Sequence, residues 1–169
     1  GSVLVAAYEK HPEDPRILMY LAEVEVRRND LVKAMEWLTK ASEAAPKALQ
    51  PRIALGRVHL INRQPSRALT TVANALRDST KNPALLNIAG EAALELGQYQ
   101  ESAAHFRALT QVLPNSAGAH YMLALAYRGL EQPDRAKSEL LKALKTDPEH
   151  LRAKAELAAQ LEQEGSLDE

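Results

Sequence analysis

The chain of 169 residues contains no cysteine, one tryptophan and one phenylalanine, and its aromatic content is 4%. Without cysteine there is no disulfide, no thiolate metal ligand and no thiol nucleophile, a composition that suits cytoplasm and periplasm equally. Scarce aromatics remove the stacking platforms on which readers of single-stranded RNA depend. An excess of one charge is missing too: 21 basic against 22 acidic side chains give a net charge of −1. A general affinity for phosphate backbones has no basis in that balance, so nucleic acid is not an expected partner. The longest apolar runs fall far short of the ~20 residues a membrane-crossing helix needs. No targeting segment is written in the sequence as given, which leaves the compartment open.

Catalytic constellations are also lacking. The five histidines, His11, His59, His105, His120 and His150, include no i, i+4 pair of the kind a helix uses to hold zinc. Glu101 and His105 have that spacing and read as a solvated pair on the outer side of a helix. There is no GxSxG elbow, and the stretch from Gly90 to Gly97 has no Lys-Ser/Thr after it to make a phosphate loop. Gly97 reads instead as a helix end with positive φ, and Gly56 and Gly90 as packing contacts. No catalytic residue, metal ligand or cofactor site is expected, and the chain does not read as an enzyme.

What is present is a period. Residues 117–150 read as two short amphipathic helices, the first with Leu123, Ala124 and Tyr127 on one face and the second with Ala136, Leu140 and Ala143. Pro133 suits the first turn of the second helix, and Asp147-Pro148 stops it. Sliding the chain by 34 residues places Pro12, Pro46, Pro114 and Pro148 on one phase, with Thr80 in the remaining slot. Small residues repeat with them: Ala34, Ala68, Ser102 and Ala136, then Ala7, Ala41, Ala75 and Ala143, with Leu109 in the same series. Leu21, Leu55, Ala89 and Leu123 are followed by Ala22, Gly56, Gly90 and Ala124, a small residue wherever two helices must approach closely.

A helix-turn-helix of this period, with large then small residues in the first helix, Ala in the second and Pro at the end, resembles the tetratricopeptide repeat. The resemblance covers essentially the whole chain. The family's first-helix Trp position holds Leu18, Arg52, Leu86 and His120, and its Tyr position keeps an aromatic only at Tyr127. The RNA-reading pentatricopeptide repeats differ by one residue per unit, a slip that would break the register seen here. The resemblance implies an all-α, right-handed α-solenoid: a half-repeat over 1–14, complete repeats over 15–48, 49–82, 83–116 and 117–150, and a terminal helix over 151–164 followed by a turn. That helix carries Leu157, Ala158 and Leu161 in first-helix phase. Gly165-Ser166-Leu167-Asp168-Glu169 matches the inter-helix turn at 97–101. Both ends look cut, so the single domain over 1–169 reads as a segment of a longer array, with self-association through its ends as one consequence. Gly1-Ser2 reads as a cloning remnant and is left out of the repeats.

The resemblance also implies where a partner would lie. In the family, first helices line a concave groove. The matching positions here are Arg16, Met19, Glu23, Val26 and Arg27; Gln50, Ile53, Arg57, Leu60 and Ile61; Ala84, Asn87, Glu91, Leu94 and Glu95; and Gly118, Tyr121, Leu125, Arg128 and Gly129. Met19, Ile53, Leu60, Tyr121 and Leu125 form an apolar row of the sort that marks binding, unless some of them pack between successive first helices. Charge is graded along the row, with Arg16, Arg27 and Arg57 early and Glu91 and Glu95 later. Met19 and Glu23 occupy the positions of the Lys/Asn carboxylate clamp found in chaperone-binding members, so an acidic chaperone tail is not the expected ligand. The expected role is a protein-interaction scaffold that takes a peptide segment in the groove. The alternative is a structural periplasmic arm of an envelope or polysaccharide-export assembly, since the Ala-, Leu- and Gln-rich repeats, the last ending in Asp147-Pro148-Glu149, resemble bacterial arrays of that type.

Overall fold

Residues 2–167 are described by the computed structural model, and they form ten α-helices and no strand: α1 (Ser2–Lys10), α2 (Pro15–Arg27), α3 (Leu31–Ala44), α4 (Leu49–Ile61), α5 (Pro65–Asp78), α6 (Pro83–Glu95), α7 (Tyr99–Val112), α8 (Ala117–Gly129), α9 (Pro133–Thr146) and α10 (Leu151–Leu167). The chain separates into two compact units, residues 1–80 and 81–169. The boundary falls beside Thr80, the slot of the 34-residue phase that lacks proline.

Helix starts follow from local chemistry. The Asp14 carboxylate accepts the Arg16 backbone N–H, Asp30 that of Lys33, Asn82 those of Ala84 and Leu85, and Ser116 that of Ala119. Each satisfies a donor that the first turn of a helix leaves without a partner. Pro15, Pro65, Pro83 and Pro133 open their helices, where a missing N–H costs nothing.

The turn joining the two helices of each repeat is the same in all four. Asn29, Arg63, Gly97 and Glu131, spaced by the 34-residue period, have φ of 61°, 56°, 71° and 56°. The following N–H then reaches the carbonyl five residues back: Asp30 to Glu25 at 2.9 Å, Gln64 to His59 at 2.8 Å, Gln98 to Ala93 at 2.9 Å and Gln132 to Tyr127 at 3.0 Å. This closure satisfies carbonyls at the helix end and offsets the ~1–2 kcal/mol an L-residue pays in left-handed geometry. Gly97 avoids that penalty, and Asn29, a residue type that tolerates the left-handed region, pays less of it than Arg63 and Glu131. Gly97→Ala should therefore lower stability by about 1 kcal/mol, all of it backbone strain because nothing lies within 4 Å of a Cβ there. Glu131→Gly should raise stability by a similar amount. Urea midpoints that move in the same direction for both variants would show that left-handed strain does not govern these turns.

The small-residue stripes are interior: Ala34, Ala68, Ser102 and Ala136 are buried, as are Ala41, Ala75, Leu109 and Ala143. In the N-terminal unit Ala22, Ala34, Leu38, Leu55 and Val58 form a cluster against which Met19, Val26, Met35, Trp37 and Ala54 pack. In the C-terminal unit the buried Phe106 ring lies over Gly90, whose carbonyl accepts the Ser102 hydroxyl at 2.9 Å.

Two polar residues at the family's Trp position have a shared job. Arg52 donates to the carbonyl of Pro46, and His120 Nε2 lies 3.0 Å from that of Pro114. Each ties its helix to a phase proline six residues earlier. His120 Nδ1 also meets Glu139 Oε2 at 2.6 Å, and Glu139 accepts from Lys142 at 2.7 Å, so α8 is pinned to α9 through a buried polar pair.

Two expectations are corrected at the ends of the chain. Gly165-Ser166-Leu167 continue α10 instead of turning. Glycine permits a left-handed residue without enforcing one, and at Gly97 the turn is fixed by the Gln98–Ala93 bond. Asp168 and Glu169 lie outside the described residues. Ser2 is the first residue of α1 and so belongs to the fold, whereas Gly1 is not described. In α10, Ala153 is buried while Leu157 is half-buried and Ala158 and Leu161 are exposed.

Candidate functional site

A cleft of about 520 Å³ opens in the N-terminal unit between α2 and α4. Arg16, Met19, Tyr20, Ala22, Glu23 and Val26 form its α2 side, Ala54, Arg57, Val58 and Ile61 its α4 side, and Leu38 of α3 completes the lining. Its volume lies in the range of sites that hold ligands. The residues two repeats further on explain the space. Leu38 corresponds to Phe106, Ala54 to Met122 and Ala22 to Gly90. A Cβ on Gly90 would lie 2.7–2.9 Å from the Phe106 ring, too close for a buried ring to yield. A phenylalanine at position 38 would thus need glycine at 22, and with Ala22 the position keeps the smaller leucine. Ala54 withholds the bulk that Met122 supplies.

The charges around this cleft are not equivalent. Arg16 forms an ion pair with Asp14 at 2.9 Å, and the hydrogen bonds from the Arg16 side chain and backbone hold the Asp14 pKa down to about 2. Glu23 pairs with Arg27 at 2.6 Å. Arg57 is exposed and lines the cleft with no hydrogen bond or ion pair to any of the described residues. Beside an apolar wall, its guanidinium is therefore available to an incoming acceptor.

Among the residues the sequence groups together, Arg16, Met19, Glu23, Arg57 and Ile61 meet around this cleft, with Val26 beside them. Arg27 sits in an adjoining depression of about 380 Å³ with Leu4, Tyr20, Glu23 and Val24. Ile53 and Leu60 do not belong to a surface row, being only 5% and 9% exposed. Helix α4 packs on α3, α5 and α2, so little of its circumference faces solvent. In the C-terminal unit Asn87 donates to Glu91 at 2.6 Å, Leu94 is half-buried and Glu95 exposed. Tyr121 and Leu125 are half-buried, with the Tyr121 ring 5.2 Å from that of His150. Arg128 pairs with Glu156 of α10. Gly129 is a packing glycine, since a Cβ there would collide with the Tyr99 ring.

Tyr20, Ala54, Val58 and Leu38 line the cleft but escape the positional reading. Comparing repeats in register would have found Leu38 and Ala54, because 38 and 54 are where the bulk differs. His105 is half-buried rather than solvated: burial pushes its pKa down, against the opposing pull of Glu101. Burial likewise lowers His59, partly countered by its hydrogen bond to Gln64. Among the described residues no three His, Cys, Asp or Glu side chains gather to hold a metal ion, and no helix is long and apolar enough to cross a membrane.

A tetratricopeptide repeat family model matches residues 2–48 and 53–119, and a second tetratricopeptide repeat model matches 93–161. The chain belongs to the tetratricopeptide repeat family. Solved structures agree on the fold. MamA of Desulfovibrio magneticus RS-1 superposes with a TM-score of 0.84 at 21% identity, covering 89% of this chain and 85% of that one. A tetratricopeptide repeat protein from Parabacteroides merdae gives 0.80 at 24% identity, over 91% and 61% of the two chains. A thermophilic tetratricopeptide repeat protein of Thermus thermophilus gives 0.72 at 20% identity, over 95% and 88%. A comparison with curated protein sequences finds no match. Tetratricopeptide repeats are protein-interaction scaffolds and are generally not enzymes.

Proposed function

We propose that this tetratricopeptide chain is a non-enzymatic scaffold that receives a segment of its protein partner in the cleft between α2 and α4. The observation that carries this reading is an apolar cleft with a guanidinium, Arg57, that none of the described residues neutralises. Apolar walls supply area to bury, and an unpaired charge beside them supplies orientation and selects against the wrong partner.

Filling the cleft without disturbing the fold tests it. Ala54→Met introduces the side chain that the fourth repeat carries in the same register, at a half-buried position. Partners captured from a lysate of the source organism and identified by mass spectrometry should be retained by the wild type and by Arg107→Glu, a reversal at an exposed residue of the other unit. Ala54→Met should lose them by roughly tenfold or more, equivalent to ~1.4 kcal/mol, with its melting temperature unchanged. Equal capture by all three proteins would remove the cleft from consideration and put the structural-arm reading first.

A further inference from the structure

Resting on that reading, we infer that the segment bound is an extended peptide with two bulky apolar side chains and a carboxylate next to one of them. Two depressions adjoin on α2: the larger, between α2 and α4, and the smaller, which Leu4 of α1 helps to line. Tyr20 and Glu23 line both, so a ligand that fills the two must cross α2 at these residues. Tyr20 is 59% exposed at this crossing. A single compact ligand would fill one depression, whereas a peptide places alternate side chains in neighbouring pockets and leaves its backbone polar groups between them. At the crossing the Tyr20 hydroxyl and the Glu23 carboxylate offer acceptors for backbone N–H groups.

Charge fixes the orientation. Arg16 and Arg27 are committed to Asp14 and Glu23, and Arg57 is the cleft cation without such a partner among the described residues. Arg57 belongs to the larger depression and is absent from the smaller. The peptide carboxylate therefore lies on the α4 side of the residue filling the larger cleft, and the second apolar residue lies toward α1. A basic residue at the carboxylate position would meet Arg57 and be rejected.

Selection of a phage-displayed library of random peptides on the whole chain, in parallel with Arg57→Glu and Ala54→Met, tests this. Wild type should enrich two apolar positions and an Asp or Glu flanking one. Arg57→Glu should keep the apolar positions and exchange the acid for Lys or Arg. A fluorescein-labelled peptide of the wild-type consensus should bind Arg57→Glu about tenfold or more weakly, and salt should weaken its binding to wild type far more than to the variant. An acidic preference that is missing, or that survives unchanged in Arg57→Glu, overturns the inference about the carboxylate while leaving the cleft reading intact. Peptides that bind Ala54→Met as well as wild type overturn the cleft reading itself. No enrichment above the bare matrix overturns the claim that a short linear segment is the ligand.

Discussion

Phe106→Ala should destabilise the protein by about 3–5 kcal/mol, the cost of emptying a site that a large buried ring fills. Phe106 has 0% of its surface exposed, and its ring occupies the space that a side chain at position 90 would need. Ser102, one turn before Phe106 on the same α7 face, donates to the Gly90 carbonyl at 2.9 Å and so fixes the spacing of α6 and α7, which limits collapse into the gap. Gly90→Ala by itself should cost about 1–3 kcal/mol by overpacking. Combining Gly90→Ala with Phe106→Leu rebuilds the Ala22/Leu38 pair of the N-terminal unit, so the double variant should lose less than the two single losses added together. Urea denaturation followed by circular dichroism measures the wild type, Phe106→Ala, Gly90→Ala, Phe106→Leu and the double variant. Additive losses would mean that ring and glycine do not share one space, and a wild-type midpoint for Phe106→Ala would show that the ring is not part of the core.

That pairing also marks the boundary between what the chain shows as text and what it shows as structure. The 34-residue phase, the prolines that open helices and the small-residue stripes are written in single positions, and α2 to α9 recur with that phase. The left-handed turns are written at Gly97 and, more weakly, at Asn29. Arg63 and Glu131 carry no preference for φ near 56°, and they are held there by backbone closure, which a residue-by-residue reading does not see. The His120–Glu139 contact joins residues 19 apart through the packing of α8 on α9, so no spacing rule announces it.

The proposed cleft is half legible in the sequence for a similar reason. Position within a first helix locates Arg16, Met19, Glu23, Arg57 and Ile61, because helical period fixes direction. It misplaces Ile53 and Leu60, since whether a given direction faces solvent depends on which helices flank α4. The cleft lies where the repeats differ in bulk, Leu38 against Phe106 and Ala54 against Met122. A pattern that emphasises what the repeats have in common hides it.

Leu123→Ala should cost about 2–5 kcal/mol, and it tests the helical register on which every placement above depends. Leu123 is 2% exposed and Ala124 1%, on a helix that packs against both α7 and α9. On α9 the buried residues are Ala136, Glu139, Leu140 and Ala143; the alanines are too small to swing into a cavity, Glu139 is held by His120 and Lys142, and Leu140 is already fully buried, so the lost methyls would be replaced only in part. Leu125 lies two residues further along the same helix and is half-buried. A two-residue step turns about 200° around a helix with 3.6 residues per turn, so Leu125 points away from the seam. Leu125→Ala should therefore cost clearly less, and so should Leu130→Ala at the half-buried C-cap of α8. Denaturation midpoints decide among the three. If Leu123→Ala unfolds with the wild type while Leu125→Ala unfolds early, α8 is rotated from its assigned register, and by the repeat phase the α2 and α4 faces that form the cleft would be misassigned with it.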